Sequence, residues 1–467
     1  MPAAPFTPAP SRAVRPEAPV VGDIEAFLAD AIAQVGPDAV EARRPGPGRP
    51  RVLPGLCLWA GLLVCVLRGF GSQLQLWRLL TSHGLWRFPR VPITDQALYN
   101  RLARAGTAPL EHLFAQVSQV LAGRLAPYAD PTLAPFAAAV VAIDESTLDQ
   151  IARLLPALRT LPVGDSGLLP GKLAGLFDVR LQQWRQVLHV PNPLQNSKVA
   201  ARDLLASLPP GTLILADLGY FGFAWFDDLT DRGFHWLSRL RAKTSYVVIH
   251  SFYQQGDTFD GIVWLGAYRA DQAAHAVRLV QFRVGQVLHQ YVTNVRDPYQ
   301  LPPREVARLY ARRWDIELAF LLIKRHLGLH LLWACKPVAV LQQVWAVLTI
   351  AQIFQALRQE IAGRAQVDLF DVSMALLVQE FPTFAADGQD PIAAFVTYGR
   401  AARYIRPSSR TRRTAPALPA TGICPLPADL VLHRPPRYAQ RKCAPRSTTP
   451  AKRTRSPAAP ALHPQPI

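Results

Sequence analysis

Two aspartates stand at matching positions after short apolar runs. Asp144 ends the run Val-Val-Ala-Ile, and Asp217 ends the run Leu-Ile-Leu-Ala. Each run has the length and composition of a buried strand, and open α/β sheets bind their ligands at the carboxyl ends of the strands. A carboxylate there is costly to bury unless it meets a cation. Either aspartate alone could cap a helix or lie in a loop, but the matching pair favours a shared cation site.

A third acid lies on a long helix that the sequence predicts from Pro303 to about Leu327. Pro303 is well placed in the first turn. At about 100° per residue, one stripe about 60° wide contains four side chains: Tyr310, Arg313, Glu317 and Lys324. The stripe lies at the margin of the apolar face, where charges need partners. Ordinary surface ion pairs, such as Arg313 with Glu317 at i, i+4, remain an equally good interpretation of this spacing.

Phosphoryl transfer is the chemistry that this combination could perform. Two divalent ions about 4 Å apart can activate an attacking oxygen and stabilise a leaving one. Three carboxylates suffice to hold such a pair, with water and phosphate oxygens completing the coordination shells. In this interpretation Asp144, Asp217 and Glu317 are the catalytic metal ligands. The cations beside Glu317 would hold phosphates.

The helix spacing resembles a known family. Tyr310-x2-Arg313-x3-Glu317-x6-Lys324 is similar, position for position, to the Tyr-Arg-Glu-Lys signature of bacterial DDE transposases of the insertion sequence 4 family. By this resemblance Tyr310, Arg313 and Lys324 are expected to contact DNA.

Other motifs extend the resemblance over about residues 135–335. AIDES resembles the first-acid motif, ADLGYFG the second-acid motif, and YVTNV the strand before the last acid. One departure is Leu218, where the family commonly has a basic residue, so a DNA contact is expected to be missing there.

The resemblance implies an α/β fold, with an RNase H-like catalytic core interrupted by a β-rich insertion between the second aspartate and the glutamate. It implies two Mg²⁺ or Mn²⁺ ions as cofactors, and double-stranded DNA as the partner, both the terminal inverted repeats of the element and target DNA. It also implies a homodimer in the synaptic complex. The activity would be cleavage of the element ends and joining of their 3′-OH groups to target DNA.

Residues 23–128 are predicted to form an all-helical N-terminal DNA-binding domain. After a short helix over Gly22–Val35, apolar periodicity predicts further helices: Leu53–Arg68, Ser72–Ser82, Thr94–Ala105 and Pro109–Leu125. A helix-turn-helix within residues 72–105 could read the terminal repeats. A plain packing role is as good an interpretation, because the connection between its helices is long.

Residues 135–399 are predicted to form the catalytic domain, with the β-rich insertion at about 241–300. The runs with the length and composition of strands are these: Ala138–Ile143, Leu173–Val179, Trp184–Val190, Leu213–Ala216, Phe234–Leu240, Tyr246–Ile249, Ile262–Tyr268, Ala276–Val284 and Val287–Thr293. Helices are predicted over Ala200–Ser207 and Val340–Ile361.

The net charge of +18 favours a polyanionic partner, either nucleic acid or an anionic membrane surface. Much of it lies in residues 400–467, where 14 Lys and Arg face one acid in a Pro-rich segment. That segment is predicted to be a disordered basic tail, and residues 1–22 a disordered lead.

A second basic feature precedes the first long helix. Gly48-Arg49-Pro50-Arg51 resembles the core of an AT-hook, which suits the narrow minor groove, so Arg49 and Arg51 are further candidate DNA contacts. Arg/Pro strings also arise by chance in Pro-rich chains.

The odd count of 5 cysteines without a C-x-x-C pair argues against a disulfide framework or a Cys-based zinc site. It fits the cytoplasm, where a DNA-binding protein would associate with the nucleoid. The apolar run Val52–Leu67 is short for a membrane span, so no membrane partner is expected.

Three other functions remain open from the sequence. A nuclease of the same fold that cuts without joining would share every motif. A domesticated, inactive DNA-binding descendant would not need the three acids intact. A non-enzymatic basic protein of the chromatin type would have no use for acids at strand ends.

Overall fold

The computed structural model describes residues 24–34, 52–86, 88–148, 171–266, 271–329, 332–334, 336–387, 389–408, 423–425, 427 and 430–436. Within these ranges the helices are α1 Ile24–Gln34, α2 Gly55–Leu67, α3 Gln73–Arg78, α4 Asp95–Ala105, α5 Ala108–Leu125, α6 Ser197–Leu205, α7 Phe223–Asp231, α8 Pro303–Arg312, α9 Asp315–Leu321, α10 Pro337–Ala365, α11 Met374–Ala386 and α12 Pro391–Tyr398. The strands are β1 Val140–Thr147, β2 Lys172–Asp178, β3 Gln183–Val190, β4 Leu213–Ala216, β5 His235–Arg239, β6 Tyr246–Gln255, β7 Thr258–Leu265, β8 Val277–Val284 and β9 Val287–Thr293. The mixed α/β architecture with one large sheet is confirmed.

The sheet has nine strands in the order β3-β2-β1-β4-β5-β9-β8-β7-β6. β1 pairs antiparallel with β2 and parallel with β4, and β4 pairs parallel with β5. The paired stretches Val140–Ile143 and Leu213–Ala216 are apolar and fully buried because helices cover both faces of the sheet there. Three neighbouring strands, β1, β4 and β5, therefore end at the same edge.

The two faces of this part of the sheet belong to two separate cores. On one face, Val140, Ala142 and Leu215 pack with α9 and α10 in the larger core. On the other face, Val141 and Ile143 pack with α6 and α7. Because side chains alternate along a strand, successive residues of β1 and β4 face the two cores in turn.

The strands β6 to β9 form an antiparallel meander that continues the same sheet beyond β5. β9 joins it to β5 through the antiparallel pairing of Ser238 with Val292. The stretch predicted to be β-rich at about 241–300 contains the strands β6 to β9, which extend the same sheet.

The N-terminal helices pack onto α10. α2 is buried along nearly its whole length, and its side chains share one core with α5 and α10. Two buried glutamines of α10 fasten this contact. Gln342 donates to the carbonyl oxygens of Leu102 and Gly106, and Gln352 donates to the hydroxyl of Ser118.

The helix α10 is long and apolar enough to cross a membrane, and 83% of its most apolar window is buried inside the protein. Gln352 also accepts from the amide of Trp184 and donates to its carbonyl, and Gln359 donates to the carbonyl of Arg180. A helix whose amide side chains bond to other elements is the core helix of a folded protein.

The signature helix is less regular than predicted. Instead of one helix to Leu327, α8 ends at Arg312, a turn occupies residues 313–314, and α9 continues into a π-helical turn over Leu322–His326. The amide of Arg313 bonds the carbonyl of Tyr310, three residues back. Periodicity cannot reveal such a change in hydrogen-bond register, because the backbone angles at Arg313 stay in the helical region.

Part of the predicted disordered tail is ordered. Ile405 is 6% exposed and forms a bridge with Val372, which fastens residues 400–408 to the helices α11 and α12. Further on, the amide of Cys424 bonds the carbonyl of Phe252 at the outer strand β6. The apolar side chain of Ile405 thus has partners on the folded body, beyond the predicted boundary at residue 400. Residues 1–22, the Arg49-Pro50-Arg51 segment and residues 437–467 lie outside the described residues.

Candidate active site

Strand register places Asp144 beside Asp217. The parallel pairing of β1 with β4 ends at Ile143 opposite Ala216, and each aspartate is the next residue of its strand. Adjacent strands lie about 4.8 Å apart. Ala142 and Leu215, two residues earlier, both face the core that contains α9. Both carboxylates therefore lie on the face of the sheet that α9 covers.

The helix α9 brings Glu317 to this edge. Ile316, Ala319 and Phe320 anchor the helix in the core, and the ring of Phe320 lies 4.8 Å from that of Trp184 on β3. Glu317 is at the margin of this buried face, with 35% of its side chain exposed. The helix is thus held by its apolar side while its acid stays at the sheet edge.

Arg313 lies among the three acids. Its guanidinium donates to Oε1 of Glu317 at 2.5 Å, and its Nη1 is 3.8 Å from Oδ2 of Asp144. The charge of Asp217 also acts on it. Burial lowers the pKa of Arg313, but the bond to Glu317 and the charge of Asp217 outweigh this and raise it. The buried guanidinium of Arg313 thus interacts electrostatically with all three carboxylates.

The carboxyl group of Asp144 is strongly perturbed. Burial raises its pKa to about 6, and the negative charges of Glu317 and Asp217 act in the same direction. The amide of Glu145, which donates to Oδ1 of Asp144 at 2.8 Å, and the charge of Arg313 oppose the rise. A divalent cation at this position would favour the charged form of the Asp144 carboxyl group.

The donor set fits a hard divalent cation, but its present arrangement is not a closed cage. Across the ranges that the structure describes, no group of three or more His, Cys, Asp or Glu side chains is arranged to hold a metal ion. Arg313 supplies the positive charge instead, and among the described residues its Nε and Nη1 atoms have no hydrogen-bond partner. Carboxylate oxygens are the ligands that Mg²⁺ prefers, so the chemistry of Asp144, Asp217 and Glu317 suits such an ion.

Tyr310 and Lys324 flank this cluster. Tyr310 is 1% exposed, and its ring lies 4.9 Å from that of Tyr291 on β9. Its hydroxyl has no hydrogen-bond partner among the residues that the structure describes, and burial raises the pKa of this group. Burial lowers the pKa of the half-buried Lys324, and the charge of Asp144 partly offsets this. The structure therefore brings all four signature residues to the edge that carries the aspartates.

Two further polar groups near this edge escaped the sequence analysis. Glu145 points to the opposite face of the sheet, where one carboxylate oxygen accepts from Lys172 at 2.7 Å and from Ser197 at 2.6 Å. Its other oxygen and the hydroxyl of Tyr220 are buried and have no hydrogen-bond partner in the described part of the chain. The motif AIDES could have predicted the position of Glu145. Side chains alternate along a strand, so an acid directly after Asp144 must face the other core.

Comparison with known proteins finds a matching family model and a similar transposase. The family model described as "Transposase DDE domain" matches residues 172–353, which contain Asp217 and Glu317 but begin after Asp144. The transposase InsG for insertion sequence element IS4 of Escherichia coli (strain K12) is 30% identical over 162 residues, which make up 32% of this chain and 35% of that protein. The chain thus matches about a third of the length of this relative.

Among solved structures, the cryo-EM structure of a piggyBac transposase synaptic complex with hairpin DNA covers 85% of this chain and 84% of its own, at 10% identity. Its TM-score of 0.37 is too low for an argument about the fold. The family match rests instead on the matched domain and the relative, and the domain implies an RNase H-like core. Residues 172–353 thus match a transposase DDE domain, and the chain is similar to a transposase of insertion sequence element IS4.

Proposed function

We propose that this protein cleaves the ends of an insertion sequence and joins them to target DNA by two-metal-ion phosphoryl transfer. The observation that carries the proposal is the register of β1 and β4, which sets Asp144 beside Asp217 on the face that α9 covers with Glu317. An inactive descendant would have no reason to keep three acids around one buried arginine at a cost in burial and mutual repulsion.

Asp144, Asp217 and Glu317 would hold two Mg²⁺ or Mn²⁺ ions. When bound, such ions activate the attacking oxygen and stabilise the leaving oxygen of a phosphodiester. The chain's own contribution is to fix the three carboxylates on rigid strands and a packed helix, so that little reorganisation accompanies the reaction. Arg313 would exchange Glu317 for a DNA phosphate, which its planar guanidinium can bind through two parallel hydrogen bonds.

The remaining signature residues would orient the DNA. Lys324 supplies a second cation close to Asp144. The unpartnered hydroxyl of Tyr310 can donate to a phosphate oxygen beside Asp217, whose charge acts on it. The partners would be the terminal inverted repeats and target DNA. Two copies of the chain would hold two ends in the synaptic complex, which would form at the nucleoid in the cytoplasm.

The N-terminal helices and the basic segments are proposed to bind DNA away from the reaction centre. The sequence carries a net charge of +18, and most of that charge is outside the compact catalytic strands. Such charges contribute affinity without sequence preference. Arg49 and Arg51 belong to this proposal on sequence alone.

A joining assay tests the proposed function directly. Labelled linear DNA that ends in the inverted repeats flanking the gene is incubated with the protein, Mg²⁺ and a supercoiled plasmid. We expect cleavage at the repeat end and label covalently attached to the plasmid. Cleavage without attached label would mean a nuclease of the same fold. Binding without cleavage would mean an inactive descendant.

A further inference from the structure

Three cations surround the loop that follows Asp217, apart from the cations of the signature helix. Arg239 is the last residue of β5, next to β4 in the sheet, and Arg241 follows two residues later. Lys198 belongs to the first turn of α6 on the opposite side of the loop. Because β4 and β5 are parallel, Arg239 and Arg241 lie at the edge of the sheet where Asp217 lies. Lys198 reaches the same loop through its bond to the carbonyl oxygen of Phe221.

Two of these cations hold the loop by its backbone. Arg241 donates to the carbonyl oxygen of Leu218 at 3.2 Å, and its guanidinium carbon lies 5.1 Å from the centre of the Phe221 ring. Lys198 donates to the carbonyl oxygen of Phe221 at 3.1 Å. Both charged groups are therefore fixed at the two ends of one short loop.

Neither cation has an acid beside it. In the portion of the chain described here, no carboxylate lies within ion-pair distance of Lys198 or Arg241, and their hydrogen bonds go to neutral carbonyl groups. Burial lowers the pKa of Lys198, and the charge of Arg241 lowers it further. Two neighbouring positive charges that lack a counter-charge provide an electrostatic site for an anion.

We propose that Arg241 and Lys198 form a phosphate-binding subsite for the DNA strand that passes Asp217. The inference rests on the proposed function, because the anion is taken to be a phosphodiester of bound DNA. Arg241 keeps donors beyond the one bound to Leu218, and a guanidinium suits phosphate geometry. Leu218 itself carries no charge. The subsite would supply positive charge to this loop from residues that are distant in the sequence.

Removal of one charge tests the subsite. DNA binding by the full-length Arg241→Gln variant is measured by fluorescence anisotropy at several salt concentrations without divalent metal. We expect roughly tenfold weaker binding to a repeat end, which corresponds to the loss of one charged hydrogen bond. The slope of log affinity against log salt should fall by about one.

Arg364→Gln is the matched control, because it removes the same charge from an exposed position. Arg364 lies in the last turn of α10, and the neighbouring Gly363 packs against Tyr128, which precedes β1. It is thus at the opposite edge of the sheet from Asp144. Equal losses in Arg241→Gln and Arg364→Gln would overturn the subsite, because only net charge would then matter.

A second test locates the contact on the DNA. Single phosphates near the cleavage point are replaced by neutral methylphosphonates. One replacement should weaken binding of the unchanged protein and have no further effect on Arg241→Gln. If no position behaves so while the protein still joins DNA ends, the subsite is wrong and the proposed function stands. If the unchanged protein neither binds nor joins repeat ends, both the subsite and the proposed function are wrong.

Moving the charge provides a third test. Leu218→Arg in the Arg241→Gln background places a guanidinium on the same loop, and we expect the salt slope to recover. Failure of the slope to recover would place the contact away from the Leu218 loop and overturn the proposed location.

Discussion

The variant Glu317→Gln is expected to lose DNA cleavage and joining while it keeps nearly normal affinity for repeat ends. Gln preserves the size of the side chain and can still accept the hydrogen bond from Arg313, but it lacks the charge that holds a metal ion. A catalytic metal contributes several kcal/mol to transition-state stabilisation, so we expect a loss of roughly a thousandfold or more in rate. A gel-shift assay run beside a Mg²⁺-dependent cleavage assay measures both properties.

Glu305→Gln is the control for this experiment. Glu305 lies in the first turn of the preceding helix and pairs with Arg308 at 3.4 Å at the surface. Its loss should leave both assays unchanged, because exposed ion pairs contribute little. Normal cleavage by Glu317→Gln would contradict the proposal that three carboxylates hold the metal ions. Joint loss of folding and binding would make Glu317 a structural ion-pair residue.

The variant Asp260→Ala is expected to lower the free energy of unfolding by about 3–5 kcal/mol. Asp260 on β7 receives two hydrogen bonds from Arg278 on β8, at 2.6 and 2.7 Å, and their side chains are 1% and 0% exposed. Arg278 also donates to the carbonyl oxygens of Asp297 and Leu301. Without Asp260, the guanidinium remains buried without a counter-charge. Urea unfolding followed by tryptophan fluorescence measures the change.

An exposed ion pair between the same two parts of the sheet is the control. Asp257 and Arg283 are 2.7 Å apart, with 55% and 41% of their side chains exposed. Asp257→Asn should leave the urea midpoint unchanged, because water solvates both charges. Equal, small effects of the two variants would contradict the importance of the buried pair. Because Leu301 precedes the helix α8, Asp260→Ala should also disturb the position of Glu317 and reduce cleavage.

The strands that carry the catalytic acids were predictable because their apolar runs are short and sharply ended. Leu213–Ala216 was predicted with its exact bounds, since four apolar residues stand between a turn and Asp217. The helix α7 was missed, because its polar residues obscure the apolar period of Phe223–Asp231. β6 was predicted only as far as Ile249 but continues to Gln255, since an edge strand with polar, half-exposed side chains lacks an apolar run.

The neighbours of the acids were only partly predictable. Spacing placed Arg313 and Glu317 on one stripe, but it could not show that Arg313 also reaches Asp144, which is far away in the sequence. The phosphate subsite illustrates the same limit. Lys198 and Arg241 meet only because α6 and the end of β5 flank one loop, and local periodicity contains no information about such a meeting. The basic residues directly after a predicted strand end were the available signal for Arg241.

The most direct test of the account is to locate Mn²⁺ by anomalous X-ray scattering in crystals of the protein bound to a repeat end. We expect two peaks about 4 Å apart, with carboxylate oxygens of Asp144, Asp217 and Glu317 as ligands. Arg313 is expected to be bonded to a DNA phosphate instead of Glu317. Peaks held by other residues, or Arg313 still bonded to Glu317 with no metal between the acids, would contradict it.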